Sequence, residues 1–215
     1  MVLTLVACLA PVFALRIPGQ REAVARGGPR FERPGPISIW AFSMGFTLDG
    51  LFMFGLGLLA AASYPAGAVL AAGLAMSLRY ATEVVFSTAG GTLAERFGAR
   101  RALVLMSHAA ALALAMLSGT GPWLWSGVIA TVVLRALTQP LAAPLVAEAF
   151  PGPAGIPALA RQASWRDIGP VTGPLAAGLL FPVAPASVIY GGAAVLLAAA
   201  SLLLIPRQPP AAAER

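Results

Sequence analysis

The chain is poor in charge. Only 10% of its 215 residues are charged, against about 25% in a soluble domain. So few polar groups cannot cover a globular surface, which excludes a soluble globular protein. Cysteine occurs once, at Cys8, so no intrachain disulfide can form and no redox compartment is implied. Histidine also occurs once, at His108. One copy of the chain therefore cannot build a bis-histidine haem site or a histidine-rich metal centre, and no cofactor or metal is expected. His108 falls inside an apolar run with no obvious partner. Lysine is absent: all 14 basic residues are arginine, and the net charge is +6. The arginines lie between apolar runs rather than along one soluble face, so they read as orientation charges and not as a nucleic-acid surface.

What the chain does have is apolar sequence. Hydrophobic residues make up 59% and the mean hydropathy is +0.83. A membrane span needs roughly 20 apolar residues, so the length suits six or seven spans with short connections. Residues 2–15 are apolar but too few for a full span. No basic residue precedes them, as a secretory signal would require, and the run is read as the end of a partial transmembrane helix. Residues 16–38 form a basic connector with Arg16, Arg21, Arg26, Arg30 and Arg33, broken by Gly27-Gly28-Pro29 and Pro34-Gly35-Pro36. Six spans follow at about 39–62, 66–89, 102–118, 122–147, 168–184 and 186–205, and a tail at 206–215. The expected fold is an all-α membrane protein, a six-transmembrane-helix bundle preceded by that partial helix.

If the spans alternate, the arginines sort by side. The connector, the 90–101 loop (Arg96, Arg100, Arg101), the 148–167 segment (Arg161, Arg166) and the tail (Arg207, Arg215) hold 12 arginines on one side, and the opposite side has none. The positive-inside rule makes the arginine side cytoplasmic. The expectation is a multi-pass protein of a bacterial inner (plasma) membrane, with a cytoplasmic C-terminus.

Four ionisable residues fall well inside spans: Asp49, Arg79, Glu83 and Arg135. Each would cost roughly 2.5–3.5 kcal/mol if unpaired at the membrane centre, so roughly 10–14 kcal/mol together. They must pair, face a hydrated cavity, or both. Two acids and two bases allow full neutralisation. Arg79 and Glu83 are four apart and share a helix face. Thr131, Arg135, Thr138 and Gln139 share another. Such a polar stripe lines either a substrate or proton pathway or an architectural ion-pair cluster, and both readings stay open here. Elsewhere, Pro140 and Pro144 should kink the fourth span, and Gly169, Gly173, Pro174 and Gly178 would let another helix approach the fifth closely.

The segment Gly91-x-Leu93-Ala94-Glu95-Arg96-x-Gly98-x-Arg100-Arg101 resembles the signature loop of the major facilitator superfamily, roughly Gly-x-Leu-Ala-Asp-Arg-x-Gly-Arg-Arg/Lys. That loop joins the second and third helices of each six-helix half. Here Glu95 stands for the usual aspartate, one carbon longer, and Ala99 for a common basic residue. Arg135 with Gln139 is similar to the family's arginine motif in the fourth helix, with a longer spacing. Gly169, Gly173-Pro174 and Gly178 resemble the glycine-proline motif of antiporter-type members, without its upstream glycine.

The resemblance implies two six-helix halves around a central cavity, and alternating access. Asp49 and Arg135 would face the substrate path. Arg79, Glu83 and Gln139 complete the candidate substrate or proton pathway. Gly91, Glu95, Arg96, Gly98, Arg100 and Arg101 would form a cytoplasmic gate, with Asp167 as partner. The chain corresponds to one half. Residues 2–38 fit the end of a sixth helix and the connector between halves, which favours the C-terminal half.

Two functions follow. The first is a secondary transporter of small molecules, working with a separate N-terminal half or as a homodimer. The second is a non-transporting half or assembly subunit. A membrane enzyme has no support in any nucleophile, histidine cluster or phosphate loop. Balanced pathway charges favour neither anion nor cation. The antiporter-like motif leans toward efflux of small organic compounds, and a buried carboxylate can exchange a proton.

Overall fold

The computed structural model describes residues 33–63 and 65–205. The partial helix at 2–15, most of the 16–38 connector and the 206–215 tail lie outside those residues. The described chain is helical throughout, with no strand.

The first span is three pieces in one continuous rod: α1 (Pro36–Met44), a π-helical stretch (Gly45–Leu51) and α2 (Phe52–Ser63). It starts three residues earlier than expected, because Pro36 sits at the first turn, where a missing N–H costs nothing. The π stretch was not foreseen. It inserts extra residues into one turn and re-aims the side chains around Asp49. The second span is α3 (Ala68–Phe97), 30 residues long, or about 45 Å. The third is α4 (Ala99–Met116). The fourth is α5 (Pro122–Thr138), a 3-10 turn (Gln139–Leu141) and α6 (Ala142–Ala149). The fifth is α7 (Gly155–Leu180) and the sixth α8 (Ala186–Leu202).

Among the described residues, three helices are long and apolar enough to cross a membrane by length and composition alone: Pro36–Ala62, Ala99–Met116 and Pro122–Ala149. Helices α3 and α7 have the length but carry charged turns, and α8 is apolar but shorter.

Two expected connections are corrected. The 90–101 stretch is not a loop. Residues 90–97 are the last two turns of α3, and the break is Gly98 alone, with φ +81° and ψ 137°. No L side chain adopts that conformation comfortably, so glycine is required. Charge did not end the helix; only backbone chemistry did. The 148–167 segment is likewise mostly helix. The chain turns at Pro151-Gly152-Pro153, where Gly152 has φ +72°, and α7 runs from Gly155 through Arg161, Arg166 and Asp167. Pro170 and Pro174 lie inside α7 rather than at its start. Neighbouring helices and local adjustments make such prolines tolerable in membrane helices.

The packing has a repeated logic. The first span lies on the fifth as the fourth lies on the second, and α4 sits between α5 and α8. Where the first and fifth spans cross, the backbones nearly touch. A Cβ on Gly173 would sit 2.6 Å from the Gly50 Cα, and one on Gly50 would sit 2.8 Å from the Gly173 Cα. Gly45 and Gly169 are equally tight, facing the Arg166 carbonyl and the Phe46 amide. Dispersion between backbones drives this association, because lipid removes the hydrophobic incentive. Gly178 differs: a Cβ there would meet open space. On the other crossing, Gly90 of α3 abuts Leu137 and Pro140, at the 3-10 turn where Pro140 interrupts the fourth span. Trp40 is fully buried and donates from Nε1 to Ser107 Oγ at 3.0 Å, tying α1 to α4.

Candidate functional site

The four intramembrane charges come from three spans. Asp49 lies at the midpoint of Pro36–Ala62 and Arg135 at the middle of Pro122–Ala149. Arg79 and Glu83 flank the midpoint of α3. The bundle joins them in one cluster. Arg135 donates from Nε to Asp49 Oδ1 and from Nη1 to Glu83 Oε1, holding both acids with one planar guanidinium. Arg79 backs the cluster from its other side. Its Nη2 is 3.9 Å from Asp49 Oδ1 and its Nε is 3.6 Å from Glu83 Oε1. The Arg79 guanidinium also lies 5.2 Å from the Tyr80 ring centroid, within cation–π range.

Burial divides the cluster. The side chains of Arg135 and Asp49 are 1% and 5% exposed, and those of Arg79 and Glu83 are 22% and 25% exposed. Arg135 and Asp49 form a dry core pair, which pairing makes tolerable at this depth. Glu83 reaches outward. It lines a cavity of about 290 Å³ with Ser87, Gln139, Pro140 and Arg166. This arrangement gives one carboxylate a cavity side and an arginine side. Thr131, one turn before Arg135, is fully buried, and its hydroxyl has no hydrogen-bond partner among the described residues. Thr138 instead returns its hydroxyl to the Leu134 carbonyl at 2.6 Å.

Two polar cavity residues, Ser87 and Arg166, lie outside the sequence-based site. Ser87 continues the Arg79–Glu83 row by another four residues, so helical spacing could have found it. Arg166 was counted only as a loop charge. No local signal shows that α7 carries it to the cavity edge.

The gate residues are placed differently. Glu95 and Arg96 are exposed on the last turn of α3, Gly98 makes the break, and Arg100 and Arg101 open α4. Gly91 has no neighbour within 4 Å of a Cβ. Asp167 is 67% exposed and pairs with Arg166 at 3.3 Å, one residue away. His108 does have partners. Its Nδ1 is 2.9 Å from the Val104 carbonyl and 3.2 Å from Ser201 Oγ of α8. No group of three metal-ligating side chains occurs among the described residues.

Six helical spans around a buried charge cluster, three of them long and apolar enough to cross a membrane among the described residues, define an integral membrane protein of the helical-bundle class. The family model described as Major Facilitator Superfamily matches residues 37–215. The chain belongs to that superfamily, whose members are transporters. Neither a curated protein nor a solved structure matches the chain.

Proposed function

We propose that the chain is a six-helix half of a proton-coupled secondary transporter, moving small organic compounds outward by alternating access. The observation that carries this reading is the cluster itself: two acids and two arginines gathered at mid-depth, with Glu83 the one member of the four that lines the neighbouring cavity. Binding at the midplane between rocking bundles is how such carriers work. Arginine stays charged in any protein environment, so a proton entering the cluster must land on a carboxylate. Glu83 takes it from the cavity. Arg135 then loses one of its two anionic partners, and its hold on α3 weakens while Asp49 retains it. That difference gives the second span two positions relative to the fourth. Asp49 and Arg135 keep the bundle closed in both.

The opposing bundle is a second six-helix half or another copy of this chain. The arginine-bearing side, with the C-terminus, is assigned to the cytoplasm of a bacterial inner membrane by the charge rule.

The test uses proteoliposomes holding the purified chain and an internal pH dye. Ethidium movement that alkalinises or acidifies the lumen, and that collapses with a proton ionophore, is the expected result. Glu83→Gln should abolish the proton signal and leave the protein folded. Ethidium flux that ignores the ionophore, or full proton coupling in Glu83→Gln, sinks the assignment.

A further inference from the structure

A second cavity, away from the charge cluster, occupies about 510 Å³ against the start of α4 and Ile205, which lies just beyond the end of α8. That is within the 300–1,000 Å³ common for ligand sites. Its lining is Arg100, Arg101, Val104, Leu105, His108 and Ile205. The order along α4 matters. The two guanidiniums stand at the helix end, where the charged turn must meet water. Val104 and Leu105 follow one turn deeper, and His108 lies about 12 Å from Arg100 along the axis. Ile205 forms the opposite wall. Leu105 is one of the exposed large apolar residues, so the groove opens sideways toward the surrounding hydrocarbon rather than into the bundle. Among the described residues no carboxylate lines it. His108 spends Nδ1 on Val104 and Ser201, so it closes the deep end of the groove as a fixed polar floor.

We propose that this groove binds an anionic phospholipid of the leaflet that holds the arginines. Its phosphate sits on Arg100 and Arg101, and an acyl chain lies along Val104, Leu105 and Ile205. Charge complementarity selects the headgroup: two guanidiniums, with no acid beside them among the described residues of the groove, favour a phosphodiester whose net charge is negative over a zwitterion. The apolar walls select a lipid over a soluble phosphate, which would leave them empty.

The experiment is native mass spectrometry of the full chain released from detergent, titrated with dioleoyl phosphatidylglycerol and separately with dioleoyl phosphatidylcholine. Wild type should retain the anionic lipid about tenfold more strongly. Arg100→Gln with Arg101→Gln should erase that preference. Leu105→Trp, which fills the groove and leaves the charges, should weaken both lipids. Arg96→Gln removes one charge from the same end of the bundle outside the groove and should keep the preference. Thermal melts by circular dichroism confirm that each variant is folded. Three results overturn the proposal: an unchanged preference in the double arginine variant, an equal loss in Arg96→Gln, or displacement of the lipid by millimolar inorganic phosphate.

Discussion

Two regions of this molecule use the same side chains in opposite ways. At the α3–α4 break, Glu95, Arg96 and Arg101 are exposed and Arg100 is partly so. At mid-membrane, Arg135 and Asp49 are almost wholly buried and paired. In the first region charge is solvated and the backbone of Gly98 decides the geometry. In the second the backbone is ordinary helix around Arg79, Glu83 and Arg135, and charge decides which helices meet. The most conspicuous sequence motif is therefore not where ion pairing holds the fold. A charge in water is worth little, whereas a buried charge must have its partner.

Substitutions can break that contrast. The largest effect belongs to Arg135→Ala, which removes the buried, hydrogen-bonded partner of Asp49 and Glu83 and leaves only the longer Arg79 contacts. A loss of about 3–5 kcal/mol is expected, read as a large drop in melting temperature in detergent. A melting point near wild type would mean that the cluster does not hold the three spans together.

Next comes the crossing of the first and fifth spans. Gly173→Val forces a side chain against the Gly50 backbone and should cost about 1–3 kcal/mol. Gly178→Ala, five residues on and facing open space, should be neutral or stabilise by up to about 1 kcal/mol. Equal melting temperatures for the two variants would deny that the seam is a backbone contact.

Gly98→Ala tests the exposed region on its own terms. Holding alanine at φ +81° should cost about 1–3 kcal/mol of strain. Arg101→Gln beside it should change stability by no more than about 0.5 kcal/mol. If the arginine proves the costlier of the two, charge rather than backbone governs the break. A smaller loss than at Gly98 belongs to Trp40→Phe, which removes the indole donor to Ser107. About 0.5–1.5 kcal/mol is expected, measured by the same melts. No change would show that the Trp40–Ser107 bond contributes nothing to the α1–α4 contact.

Much was legible before any coordinates. Apolar runs named the six spans, because a span must be apolar for its full depth. The positions of Asp49, Arg79 and Arg135 within their runs set them near the middle of their spans. Proline at 140 announced the irregular turn in the fourth span. Errors clustered where charge was taken as a loop signal. Residues 90–97 and 155–167 are helix, because charged side chains at a water interface do not disturb the i to i+4 ladder.

The sequence by itself determined the composition of the site: two acids and two arginines, balanced, buried by the length of their spans and therefore obliged to find one another. The tertiary structure alone decided the pairing. Arg135 holds both acids because the fourth span lies against the second and the first reaches the same depth beside them. Which spans become neighbours depends on glycines meeting across the bundle, Gly50 with Gly173 and Gly90 with Leu137 and Pro140. Contacts between residues so far apart in the chain have no local period for a sequence to display.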